Sequence, residues 1–207
     1  MKKIIMLLAI FASNLAIAQA STAVIELQKI LSPIKSMQAD FKQTVFSENN
    51  SVLQTASGNM SYKKPNLFKW RVEEPDPTLL VTNGKTLWNY DAALEQVIVQ
   101  KYTINKEVSP LSFILDEQDR MQANFNVEQQ ADGCFKLTPL LDNSNFVNVS
   151  VCFAGKYASA KIKSVRIVDH LGQTSVFEFS NMKTNIALSD SSFNFSPPPG
   201  VDVIGDQ

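Results

Sequence analysis

Few residues in this 207-residue chain could do chemistry, and none falls into a catalytic pattern. His170 is the only histidine, so a histidine-based triad or a histidine-rich metal site is excluded by count. It stands in Asp169-His170-Leu171-Gly172, a turn sequence in which a solvated ring is the ordinary expectation. Glu73-Glu74 and the pair Glu117 and Asp119 could be called carboxylate dyads. Nothing near them would raise a pKa for acid catalysis, and solvated surface acids explain them better. There is no phosphate-binding glycine loop, and glycine is scarce at 7 residues. The composition therefore supports neither catalysis nor a cofactor; a secreted hydrolase with an unusual site is the rival from that class.

Cys134 and Cys152 are the only thiols. Without a Cys-x-x-Cys spacing or charged neighbours to lower a thiol pKa, they do not form a catalytic redox pair. If Asp142 to Asn145 is the tip of a hairpin, Cys134 lies opposite Cys152. Phe135 and Leu137 then match Val149, Val151 and Phe153 on the other face. An oxidising compartment would join the two into a disulfide contributing about 3 kcal/mol in the chain-entropy model; two free thiols are the alternative.

What remains to do chemistry is apolar surface, and its placement depends on the strands. Phe68, Trp70 and Val72 alternate with Lys69, Arg71 and Glu73, so a strand here has one greasy and one wet wall. Asn83-Gly84 joins Leu79-Leu80-Val81 to Thr86-Leu87-Trp88 and predicts a tight type I′ hairpin with two positive φ values. Met37, Ala39, Phe41, Gln43 and Val45 alternate in the same way, with a turn over Ser47 to Ser51. Glu74-Pro75-Asp76-Pro77 is another turn.

Further strands are expected over Val52 to Thr55, Gly58 to Tyr62, Glu95 to Lys101, Phe125 to Gln129, Cys134 to Pro139, Val147 to Phe153, Lys161 to Asp169 and Thr174 to Phe179. The last Pro-rich segment cannot pair inside a sheet and is expected along an edge. Two stretches read as helix. One runs from about Ala23 to Leu31, capped by Ser21 or Thr22 and ended by Pro33. The other lies between Ser109 and Met121, with Ser109 as cap and Pro110 at the first helical position. It is short and strongly apolar, so it must cover something hydrophobic.

Residues 1–20 read as a secretory signal peptide: Met1-Lys2-Lys3, an apolar run from Ile4 to Ile17, and Ala18-Gln19-Ala20. The run is too short for a comfortable membrane span of about 20 residues; cleavage is expected after Ala20 or Ala18, with an uncleaved anchor as the alternative. Removing the leader takes two of the 19 basic and none of the 20 acidic residues, leaving a net charge of about minus three. Nucleic acid is not an expected partner. No cysteine immediately follows the cleavage site, the first being Cys134, so the mature chain, residues 21–207, is expected to be an unlipidated, freely diffusing single domain in the periplasm.

A large antiparallel sheet curled into a half barrel, with a helix on its concave side, leaves a hydrophobic cavity. Phe68, Trp70, Trp88, Leu111, Phe113, Ile114 and Leu115 are the side chains expected to line it; for any one of them ordinary core packing is the alternative. Acyl chains suit such a cavity, since each buried methylene contributes about 0.8 kcal/mol.

Lys64-Pro65-Asn66-Leu67-Phe68-Lys69-Trp70, Asn83 to Tyr90, Glu95-Gln96 and the ending Phe193 to Val203 together resemble the outer-membrane lipoprotein carrier family, LolA. The resemblance covers essentially the whole mature chain. It implies an unclosed antiparallel β-barrel, mainly β with short α-helices, covered by a helical lid, and a monomer. It also implies a periplasmic chaperone that accepts triacylated outer-membrane lipoproteins from an inner-membrane ABC transporter and delivers them to an outer-membrane receptor, without stable membrane insertion. Phe68 and Trp70 match the family's aromatic cavity positions, and Pro110 to Leu115 fall where its lid helix lies. In the family an arginine immediately before Pro-Asn bonds lid carbonyls as a latch; here that position is Lys64, which lacks the planar fork of arginine. A periplasmic sensor or lipid-binding protein built on the same sheet is the nearest rival.

Overall fold

The computed structural model describes residues 22–103, 110–116, 120–140, 144–155 and 160–205. The leader, Ser109 and Asp142 therefore lie outside the described residues, as does the side chain of Phe113. Helix α1 covers residues 22–31 and ends before Pro33. Strands β1 (Ser36–Phe46), β2 (Val52–Lys63), β3 (Leu67–Glu74), β4 (Thr78–Asn83), β5 (Thr86–Asp91) and β6 (Gln96–Lys101) follow as an antiparallel meander. Two short helices come next, α2 (Pro110–Asp116) and α3 (Met121–Asn124), and then β7 (Phe125–Gln129), β8 (Cys134–Pro139), β9 (Asn148–Ala154), β10 (Lys161–Val168), β11 (Thr174–Thr184) and the three-residue β12 (Asp202–Ile204).

These twelve strands form one sheet in the order β12-β6-β5-β4-β3-β2-β1-β11-β10-β9-β8-β7. The two halves of the chain meet where β1 pairs with β11 across a long sequence separation, Phe41 opposite Phe179 and Gln43 opposite Phe177. The sheet is large and unclosed, and the chain is mostly strand, matching the fold class expected from the sequence.

Val52 to Thr55 and Gly58 to Tyr62 are a single strand rather than two pieces. The interruption is a bulge: the β2–β3 register shifts between Ser57 and Gly58. A Cβ on Gly58 would sit only 1.9 Å from the Arg71 carbonyl oxygen, so the two backbones approach there as only glycine allows. The Asn83-Gly84 hairpin also differs from expectation. Only Gly84 has a positive φ (82°), so the turn is not type I′. Instead the Asn83 side-chain oxygen accepts from the amides of Lys85 and Thr86 at 3.0 and 2.9 Å, closing a wider loop in which Thr82 pairs with Leu87.

Directly paired residues share a face, so the register sorts the apolar side chains. Met60, Trp70, Leu80, Asn89 and Ile98 lie across one face. Lys69, Val81, Trp88 and Val99 lie across the other. The first face carries the main core, including Leu27, Leu31, Tyr62, Phe68, Ile114, Leu115 and Met121. On the second, Phe193 packs against Leu67, Leu79 and Val81 with Trp88, Tyr90, Leu188 and Phe195 around it.

Cys134 pairs with Cys152 across the β8–β9 ladder, and a disulfide joins them.

Candidate functional site

The aromatic floor of the concave face is built from three strands whose alternation directs Phe41, Phe68, Trp70, Phe177 and Phe179 the same way. Trp70 stacks on Phe41 at 3.9 Å between centroids and meets the edges of Phe177 and Phe179 at 5.3 and 6.4 Å. Phe68 stacks 6.2 Å from it. Phe41 and Phe68 are buried, whereas Trp70, Leu80, Phe177 and Phe179 are only partly so and pack on the core from its rim.

Helix α2 covers part of this floor. At seven residues it is far below the about 12–15 needed for an isolated helix, so packing must hold it. Leu111, Ile114 and Leu115 supply that packing, at 4%, 1% and 0% exposure in the same cluster as Phe68. Helix α1 contributes Leu27 and Leu31 beside them. The helix expected between Ser109 and Met121 is thus α2, with α3 starting at Met121.

Among the sequence-predicted residues, the structure brings Phe68, Trp70, Leu111, Ile114 and Leu115 together. It separates Trp88. Because Trp88 pairs with Val81 and Val99, it lies on the outer face beneath the C-terminal segment; Leu87 points inward instead. Placing Trp88 in the cavity is therefore corrected. Lys64 sits in the turn between β2 and β3, where its amide donates to the Lys35 carbonyl at 2.9 Å. Sequence reasoning missed Phe177 and Phe179, although their strand was expected, since nothing local reveals that β11 pairs with β1.

It also missed Asp116, the last residue of α2. Its Oδ1 accepts from the Tyr62 hydroxyl at 2.9 Å and from the Asn66 amide at 3.2 Å, joining the lid helix to β2 and to the β2–β3 turn. Tyr62 is fully buried, and burial pushes its phenol well above the ordinary tyrosine range, with the Asp116 carboxylate adding to the effect. On the outer face, burial and the neighbouring Arg71 lower the Lys69 pKa from its usual value. His170 is exposed in its turn and donates from Nε2 to the Ser144 carbonyl at 2.7 Å, a contact between loops. Among the described residues no group of His, Cys, Asp and Glu is placed to hold a metal ion.

A large unclosed antiparallel sheet, with aromatic rings on one face and short apolar helices packed against that face, defines the class of fold to which this chain belongs. The sequence model of the family described as outer membrane lipoprotein carrier protein LolA matches residues 32–196, and the chain belongs to that family. A protein of Shewanella baltica named outer-membrane lipoprotein carrier protein is 32% identical over 168 residues, covering 81% of this chain and 78% of its own length. A Coxiella burnetii protein of the same name is 30% identical, covering 98% of this chain and 97% of its own length. Among solved structures, a LolA superfamily protein from Nitrosomonas europaea aligns over 86% of this chain with a TM-score of 0.52 and 13% identity. An uncharacterized conserved protein from Thermus thermophilus aligns over 89% with a TM-score of 0.54 and 14% identity, a likeness of fold alone.

Proposed function

We propose that this protein is a periplasmic carrier that binds the acyl chains of triacylated outer-membrane lipoproteins against the concave aromatic floor. It accepts them after release from the inner membrane by an ABC transporter and gives them up to an outer-membrane receptor. The observation that carries the reading is the half-buried Trp70, set among Phe41, Phe68, Phe177 and Phe179 beneath an apolar lid. Flat rings offer acyl chains a smooth apolar surface. At about 0.8 kcal/mol per methylene, three chains bind strongly enough that release, not capture, becomes the difficult step. The lid solves this by competing for the same surface. Leu111, Ile114 and Leu115 occupy the closed cavity, so loaded and empty states each bury the floor and neither is much deeper than the other. Lys64, in the turn beside the lid, takes the family's latch position and donates to lid backbone carbonyls in this scheme.

The decisive experiment incubates the mature protein with spheroplasts secreting lipoproteins and recovers it from the supernatant. The expected outcome is a soluble one-to-one complex that transfers its cargo to receptor-bearing membranes. Recovery of free lipids or glycolipids without any lipoprotein would move the function to the sensor or lipid-binding class. In the same assay Lys64→Leu is expected to leave capture intact and slow transfer; an unchanged transfer rate removes Lys64 from the mechanism.

A further inference from the structure

We infer that Asp116 is the anchor that holds the lid shut, and that cargo loading and release break and remake its bonds to Tyr62 and Asn66; this rests on the carrier reading above. Asp116 ends a seven-residue helix, directly after Ile114 and Leu115. Those two side chains provide apolar adhesion, which is non-directional and would be satisfied equally well by an acyl chain. Asp116 provides what an acyl chain cannot.

One carboxylate oxygen receives both the Tyr62 hydroxyl and the Asn66 amide, two donors fixed by different parts of the sheet. Tyr62 is held in β2, opposite Met37 and Phe68, with no exposed surface. Asn66 has a positive φ of 61° in the β2–β3 turn, and its amide completes the pair. The phenol is buried in the same core cluster as Met37, Met60, Phe68 and Leu115, and a buried hydroxyl needs a partner. In the closed state the lid brings that partner. When α2 lifts, Tyr62 and Asn66 lose their acceptor together, so opening is opposed by a polar term independent of how much apolar surface is exchanged. That term tips the balance toward the closed form once the receptor begins to draw the acyl chains out.

Hydrogen bonds to a charged group are strong enough that losing one shifts an equilibrium by about tenfold or more. The test uses the empty mature protein with cis-parinaric acid, a fluorescent fatty acid, as probe, and hydrogen exchange of the amides of residues 111–116 as a second readout. Tyr62→Phe removes a single oxygen and keeps the ring in place. It is expected to raise both probe affinity and exchange about tenfold. Asp116→Ala is expected to do at least as much, and Asp116→Asn, which retains an acceptor oxygen, to do less. Combining Tyr62→Phe with Asp116→Ala should add nothing to Asp116→Ala alone, whereas residues acting on the lid independently of each other would give additive effects.

Unchanged probe affinity and exchange in Tyr62→Phe and Asp116→Ala would overturn the inference, as would additivity. Both readouts are independent of lipoprotein capture. If they change as expected while the wild type carries no lipoprotein, the anchor stands and the carrier reading falls. If the wild type carries lipoprotein and neither readout moves, the anchor falls alone.

Discussion

The sheet has two apolar patches, one on each face, and the protein covers them differently. The concave patch lies under α1 and α2, while the outer patch around Leu67, Leu79 and Val81 lies under residues 188–195, with Phe193 as its plug. Both covers bury side chains completely, as Leu115 and Phe193 show at 0% exposure. Their fastenings differ. Ser36 donates to the Ile186 carbonyl at 2.6 Å, Lys63 to the Leu188 carbonyl at 2.8 Å and to Asp190 at 2.6 Å, and Asn83 to Asn194 at 2.9 Å. The chain then enters the ladder itself as β12. On the inner side, Asp116 ties α2 to the sheet through Tyr62 and Asn66. Burial is thus the same in kind on both faces; in the carrier scheme proposed above, the widely fastened outer cover is the fixed one and α2 the exchangeable one.

The largest effect should come from removing the outer plug. Phe193→Ala empties a fully buried site under a fixed cover and is expected to cost about 3–5 kcal/mol, read by urea unfolding. Leu115→Ala removes an equally buried side chain but is expected to cost less, about 2 kcal/mol or under. A lid that opens locally limits the global loss to its own opening free energy. A cost equal to that of Phe193→Ala would mean that the two covers are equally fixed, and the distinction drawn here would fail.

The two tryptophans give a second contrast. Trp70→Ala should weaken fatty-acid binding about tenfold, on the order of 1.4 kcal/mol. Trp88→Ala should leave binding unchanged and lower stability only; equal losses of affinity would place both rings in one site. The smallest effect is expected from Asp190→Asn. Its partner Lys63 is 34% exposed and Asp190 itself 75%, so the ion pair is screened by water. A loss within about 1 kcal/mol is expected, since no single surface fastening should carry the outer cover.

The sequence carried this architecture unevenly. Period-two alternation around Phe41 and Phe68 was enough to assign strands and their inner faces, because each strand has a wet side with Lys42, Lys69 or Arg71. It failed on β4 and β5, where Leu79, Leu80 and Val81 run together and Trp88 follows Leu87. A strand covered on both faces has no polar side to orient it. Parity settles the matter: with Leu80 opposite Trp70 and an even-sized hairpin loop after it, Trp88 must face outward. The C-terminal segment was legible only where its prolines exclude internal pairing. That logic found the edge position of β12, but Phe193 crossing the outer face depends on packing far from it in sequence. Asp116 was hidden for a related reason. A single acid after an apolar run looks like a helix end meeting solvent, and its partners Tyr62 and Asn66 lie some fifty positions away.

The shortness of β12 has a consequence for a protein with apolar side chains at its rim. Ile98 and Ile204 sit half exposed at this margin, and an open ladder beside them would invite strand addition by a second copy. Pro197, Pro198 and Pro199 precede β12. Gly205 follows it at a φ of 107°, so close to Val99 that a Cβ would lie 2.0 Å from its carbonyl oxygen. The pairing therefore spans three residues. So brief an edge strand offers little ladder for a second copy to extend, which disfavours edge-to-edge aggregation at this margin.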